Sequence, residues 1–156
     1  TMKEGMAIFC PNANSYRRFA PGFFAPITPN WGPNHRNLSL RIPLSDDDNV
    51  RIEHRSAGAD ANTYLVVASV LAGMHHGLKQ KSSPPKMINE SEVIDPEITL
   101  PVKWQDALDE FKKAEVLPNY FHEEFCRIFH HCRACELDRF SSQISNKDFE
   151  WYLRSI

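Results

Sequence analysis

Val50-Arg51-Ile52-Glu53-His54-Arg55 is the stretch on which the reading of this chain turns. Side chains alternate faces along an extended strand. Arg51, Glu53 and Arg55 therefore share one side, and Val50, Ile52 and His54 share the other. A plus–minus–plus row backed by an apolar row has two readings. It is a solvated strand face, as most charged strand faces are, or a site where Glu53 holds a metal ion between two anion-binding guanidiniums.

A second strand stands upstream. Leu38, Leu40 and Ile42 alternate with Asn37, Ser39 and Arg41, again apolar on one side and polar on the other. Residues 17–55 contain six arginines and no lysine. A guanidinium is planar, always charged, and grips phosphate or carboxylate through two parallel bonds, whereas an ammonium is a point charge. An arginine-only cluster on paired strands suits small anions held in fixed geometry, and differs from the spread, lysine-containing footprint of a nucleic-acid surface.

The rest of the composition makes that cluster a local feature. The chain has 156 residues, about one domain, with a formal net charge of −2 and an apolar fraction of 42%. A general polyanion binder would be basic. The apolar run from Tyr64 to Met74 is too short for a bilayer, which needs ~20 residues. Neither nucleic acid nor membrane is expected as a partner. No secretion signal is visible at the start, and four unevenly spaced cysteines make no disulfide framework. The expected location is the cytoplasm.

Residues 1–60 are rich in Pro, Gly and Asn and read as short strands joined by loops. Asp60 or Asn62 then caps a helix whose body, Tyr64 to Met74, is apolar almost all round and so is expected to be buried on most sides. Residues 82–102, with Pro84, Pro85, Pro96 and Pro101, show no period and read as a flap or an arm laid on a neighbour. Trp104 to Lys113 reads as a short helix with acidic residues early and lysines late. Phe121, Phe125, Ile128, Phe129 and Cys132 fall at helical spacing, predicting one amphipathic helix from Pro118 to about Leu137. The tail from Asp148 to Ile156 is apolar and aromatic and is expected to dock.

Several short motifs occur in a telling order: Asn14-Ser15-Tyr16-Arg17-Arg18, Pro21-Gly22, Ala25-Pro26, Asn34-His35-Arg36-Asn37, Arg41-Ile42-Pro43, Arg51-Ile52-Glu53-His54-Arg55 and Asn62-Thr63-Tyr64-Leu65. Together they resemble the catalytic domain of the glutamine synthetase superfamily, strongly over about residues 9–81 and loosely beyond. Trp31-Gly32, Glu53-His54-Arg55, Ala57-Gly58-Ala59-Asp60-Ala61-Asn62 and Glu150-Trp151-Tyr152-Leu153 make the chain most similar to the γ-glutamylpolyamine (γ-glutamylputrescine) synthetase branch.

The resemblance implies an α+β fold: antiparallel strands of a catalytic half-barrel with helices packed on its outer face. It implies that residues 1–156 are the C-terminal portion of that domain, without the N-terminal domain or the first half of the catalytic domain. The implied activity is an ATP-dependent ligase that phosphorylates the glutamate side chain and lets an amine displace the phosphate. By position, Arg18 matches the arginine that holds glutamate. Arg36 matches one shared between glutamate and the nucleotide phosphates, and Arg41 and Arg51 match arginines on the ATP side. Glu53 matches a ligand of Mg²⁺ or Mn²⁺, and Arg55 an arginine near the acyl phosphate. Arg36 and Arg55 are thus the expected catalytic pair. The implied partners are glutamate, an amine, and further copies of the chain in a ring-shaped homo-oligomer, a dodecamer. One carboxylate cannot hold a multi-metal site, so these residues alone are expected to be inactive.

Phe24 departs from the pattern. Ammonia-using members carry a flap glutamate there, which binds ammonium and strips its proton. A phenyl ring does neither, but it can border the methylenes of a longer amine, so putrescine or another polyamine is expected over ammonia. An ammonia-dependent glutamine synthetase and a catalytically silent relative kept for assembly or signalling are the alternatives. Among other signals, Cys126, His130, His131, Cys132 and Cys135 invite a zinc reading, but no second ligand pair exists, and Cys132 falls with Phe125 and Phe129 on the apolar face. His54 is expected in the core, and Asp46-Asp47-Asp48 in a turn.

Overall fold

The computed structural model describes residues 1–20, 23–89, 91–92, 94 and 99–153. Pro21-Gly22, Pro96 and the last three residues of the chain, for which motif, flap and docking expectations were raised, lie outside the described residues.

The fold is α+β. A small sheet is built from β1 (Trp31–Pro33), β2 (Leu40–Ile42) and β3 (Glu53–His54) in the order β1-β2-β3. Arg41 pairs with Glu53 across the antiparallel β2–β3 ladder, with a turn containing Asp47–Asn49 between the strands. The β1–β2 pair is parallel, against the expectation of antiparallel strands throughout. Alternation fixes which residues share a face but is the same for both strand directions; the return through residues 34–39 decides direction. Only residues 53–54 of the Val50–Arg55 stretch are laddered, and Val50, Arg51 and Ile52 are exposed.

Helices form the larger part of the core. They are α1 (Met2–Phe9), α2 (Ala13–Tyr16), α3 (Thr63–Lys79), α4 (Trp104–Lys112), α5 (Pro118–Phe121), α6 (Glu123–Ser141) and α7 (Asn146–Tyr152). Met6, Ile8 and Phe9 of α1 pack with Trp104, Leu108 and Phe111 of α4, and the Phe121, Phe125 and Phe129 rings of α5 and α6 close over them. The Glu4 carboxylate accepts backbone N–H bonds from Glu115, Val116 and Leu117 at 3.1–3.4 Å, tying α1 to the turn before α5. Those donors would otherwise be left unpaired at a helix start.

Asn62, not Asp60, caps α3, accepting from the N–H groups of Tyr64 and Leu65. Asp60 instead accepts from Ser15 Oγ at 2.9 Å and from Asn12 Nδ2 at 3.1 Å, fastening the arginine-bearing turn to the loop after β3. The expected all-round burial of α3 does not occur. Ser69 and Ala72 are buried, whereas Tyr64, Val67, Leu71, Met74 and Leu78 form a continuous exposed stripe. Apolar periodicity says that a face seeks a partner; it does not say that the partner lies within these residues.

The predicted helix from Pro118 to Leu137 is two helices. His122 takes a left-handed backbone angle (φ 69°) between them, and its Nδ1 accepts from the Glu124 N–H at 3.3 Å, capping α6. Such a cap offers the backbone an alternative to continuing the helix. Phe149, Trp151 and Tyr152 of α7 and Leu153 just after it remain largely exposed, so the tail is not buried in the core. The proline-rich segment is no free arm where it is described: Ile88 N–H donates to the Trp31 carbonyl at 3.0 Å and Trp31 Nε1 donates to the Pro85 carbonyl at 2.8 Å, laying it along β1.

Candidate functional site

The loop between β1 and β2 is shaped by Asn34, whose left-handed backbone (φ 51°) is tolerated by its short polar side chain. Asn34 N–H donates to the Ile42 carbonyl at 2.9 Å, and Asn37 N–H donates to His35 Nδ1 at 3.1 Å. This compact turn raises Arg36 beside Arg41 of β2. Together Phe24, Asn34, His35, Arg36, Asn37 and Arg41 line an open cavity of about 520 Å³.

Of the site residues singled out in the sequence, Phe24, Arg36 and Arg41 line that cavity; Arg55 and Glu53 join them through the Phe24 carbonyl and the Arg41 side chain. The Arg36 guanidinium stands 6.0 Å from the centre of the Phe24 ring. Arg55 reaches the Phe24 carbonyl at 3.4 Å, and its Nη1 is buried without a hydrogen-bond partner. Burial, with the positive charges of Arg41, Arg36 and Arg18 nearby, pushes Arg55 below the usual arginine range, while Glu53 works against that shift. A donor held in a field of like charge has an electrostatic demand for an anion. Arg51, by contrast, is exposed and donates to the Asn49 carbonyl at 3.3 Å, at the margin of the group.

Arg18 sits against the backbone that follows β3. It donates to the Ser56 carbonyl and, at 3.3 Å, to the Ala57 carbonyl, and it lies 4.9 Å from the Phe19 ring centre. Its Nε is buried and unpartnered. His54 lies on the opposite face from the charged row, as expected, with its ring 4.4 Å from that of Phe9. Burial, then the Arg18 charge, lowers its pKa to about 4, so it is neutral near pH 7.

Glu53 is clasped by Arg41: Nε donates to Oε2 and Nη2 to Oε1, both at 2.9 Å. Those bonds, then the charges of Arg41, Arg51 and Arg55, hold its carboxyl below the usual glutamate range. Both of its oxygens are engaged, and among the described residues no three His, Cys, Asp or Glu side chains gather as metal ligands. These residues therefore do not by themselves fit a divalent-metal site. The arginine set does fit a polyanion.

Asn34, His35 and Asn37 were quoted in the sequence but given no role, and the structure brings them into the cavity wall. Only their adjacency to Arg36 signalled it. Phe23, next to Phe24, faces a different, mostly apolar cavity of about 330 Å³ with Phe19, Ala25, Ile27 and Ile94. Among the C-terminal cysteines, Cys126 is the buried one; Cys132 is exposed, against the packing role expected for it.

The chain is 40% identical over 154 residues to gamma-glutamylputrescine synthetase of Escherichia coli, covering 99% of this chain and 33% of that protein. It is 28% identical over 153 residues to gamma-glutamylethanolamide synthetase of Streptomyces coelicolor, covering 98% of this chain and 32% of that protein. A solved structure titled apo GmaS without ligand superposes with a TM-score of 0.81 at 25% identity, covering 97% of this chain and 35% of that one. The chain thus spans about a third of the length of these relatives. The family profile described as glutamine synthetase, catalytic domain, matches residues 1–152, and the chain belongs to that family.

Proposed function

We propose that this chain is the arginine-bearing part of an ATP-dependent glutamate–amine ligase that makes γ-glutamylamides through a γ-glutamyl phosphate, with putrescine or another polyamine as acceptor. The observation that carries the reading is the cavity lined by Phe24, Arg36 and Arg41, with Arg55 donating to the Phe24 carbonyl. The reaction brings the glutamate carboxylate to the terminal phosphate of ATP. Like unit charges ~4 Å apart repel by about 4 kcal/mol at an effective dielectric of 20. Fixed guanidiniums offset that repulsion and stabilise charge on the phosphoryl group in transfer. In the first step a carboxylate oxygen bonds to the terminal phosphorus and ADP leaves. In the second the amine nitrogen bonds to the acyl carbon, phosphate leaves, and the nitrogen loses a proton.

In this reading Arg36 and Arg55 act at the reacting centre, Arg41 and Arg51 face the nucleotide, and Arg18 supports the glutamate side. Glu53 would offer at most one oxygen to Mg²⁺ or Mn²⁺, and only in exchange for its bonds to Arg41. Phe24 borders the amine entry, and the neighbouring apolar cavity beside Phe23 offers room for methylenes. The relatives named for putrescine and ethanolamide products support an organic amine. A cytoplasmic setting fits four free cysteines, and a ring-shaped oligomer, a dodecamer, fits the exposed α3 stripe and tail.

The test is a chimera in which residues 1–152 replace the matched third of the E. coli gamma-glutamylputrescine synthetase. It is assayed with ATP, glutamate and a panel of amines that includes ammonia. Turnover of putrescine or another polyamine above ammonia is expected. Best turnover with ammonia would instead make it a glutamine synthetase, and loss of activity in a folded chimera would point to a silent relative.

A further inference from the structure

Arg36 is central to the anion cavity, yet few contacts hold it. Among the described residues neither its backbone nor its side chain makes a hydrogen bond, and its guanidinium has the Phe24 ring 6.0 Å away. A guanidinium can stabilise a phosphoryl group in transfer only if it stands ready in the right place. The backbone that carries Arg36 must therefore do the holding.

The chain is anchored on both sides of it. Before Arg36, Asn34 N–H donates to the Ile42 carbonyl at 2.9 Å and His35 N–H to the Pro33 carbonyl at 2.6 Å. After it, Leu40 N–H donates to the Asn30 carbonyl at 3.1 Å. Two bonds span Arg36 itself. Leu38 N–H reaches the His35 carbonyl only at 3.4 Å, outside the usual range of about 2.7–3.2 Å. Asn37 N–H donates to His35 Nδ1 at 3.1 Å. The shorter closure is made by a side chain, in the residue i to i+2 pattern that Asn and Asp use in turns.

Accepting at Nδ1 fixes the chemistry of the ring. An accepting nitrogen carries no proton, so neutral His35 keeps its hydrogen on Nε2. The same bond sets Asn37, which lines both the anion cavity and the apolar cavity beside Phe23.

We propose that His35 is a positioning residue for Arg36: its Nδ1 closes the turn that carries the guanidinium and so holds that charge ready for phosphoryl transfer. The closure stands on the geometry of the turn, and its effect on turnover rests on the ligase reading.

Two measurements separate those parts. Nitrogen NMR spectra of the folded chain at pH ~9, where imidazole is neutral, should show His35 as the Nε2–H tautomer, with a coupling between its Nδ1 and the Asn37 amide nitrogen. The backbone order parameter at Arg36 should fall in His35→Leu, which keeps bulk but has no acceptor. His35→Asn, whose Oδ1 accepts in the same i to i+2 pattern, should restore it. The Nδ1–H tautomer, or equal order parameters in all three proteins, overturns the proposal.

In the chimera, His35→Leu should lower kcat roughly 10–100-fold, and His35→Asn should recover most of that loss. In an Arg36→Gln background, His35→Leu should change kcat by less than about twofold, since a residue that acts through Arg36 has nothing left to position. Equal losses in both backgrounds, or no loss in either, overturns the proposal. Circular dichroism and the unfolding midpoint of each variant check that the fold is kept. An inactive parent chimera counts against the ligase reading, and the spectra then decide the closure by themselves.

Discussion

Arg41 and Glu53 are register partners on β2 and β3 and close on each other through two parallel hydrogen bonds of 2.9 Å. The clasp places one carboxylate among Arg41, Arg51 and Arg55 and fixes the plane of the Arg41 guanidinium beside the cavity. Two residues that matched ligands of different species, ATP and a metal, are each other's partners here.

The clasp has a pH signature. The Glu53 carboxyl is held below its ordinary range in the fold, chiefly by the Arg41 hydrogen bonds. A depressed acid contributes stability above its unfolded pKa, and that contribution is lost as pH falls through the folded value. Acid unfolding curves of wild type and Glu53→Gln should therefore converge below the ordinary carboxylate range and separate above it. Parallel curves at all pH values would show that the clasp does not couple to folding.

His54 gives a second, higher window. Its pKa falls from 6.5 to about 4 on folding, from burial first and the Arg18 charge second. The unfolded chain then binds more protons between those values, so stability drops as pH falls from about 6.5 to about 4. The loss should reach roughly 2–3 kcal/mol, and His54→Phe, which keeps the packing on Phe9, should flatten that part of the denaturation profile.

Gly32 is required by the segment laid along β1. A Cβ at that position would overlap the Ile88 carbonyl oxygen. Gly32→Ala should cost about 1–3 kcal/mol and speed tryptic cleavage at Lys86, which the wild-type pairing of Ile88 with Trp31 slows.

The core and the α3 stripe should differ sharply in their sensitivity to substitution. Phe111→Ala, at a fully buried position, should cost about 3–5 kcal/mol in urea unfolding. Val67→Lys and Leu71→Lys on the exposed stripe should stay within about 0.5 kcal/mol of wild type.

In the chimera, Arg36→Gln should lower kcat by roughly 10²–10³ with little change in unfolding midpoint, because Arg36 is exposed on its loop. An unchanged kcat would remove Arg36 from the reacting centre.

The sequence by itself determined the elements with a local cause. Asn62 starts α3 with its own side chain, the dipole-matched ends of Trp104–Lys113 make α4, and alternation puts His54 inward and Glu53 outward. The arginine motif was legible because guanidinium chemistry is written in residue type. Tertiary structure decided what depends on partners distant in the chain. The direction of β1 and the taking of Asp60 by Ser15 each rest on which backbone or side-chain group arrives first. The α3 stripe and the Arg41–Glu53 clasp show the same limit: periodicity and charge state what a residue can bind, and only the folded chain chooses what it does bind.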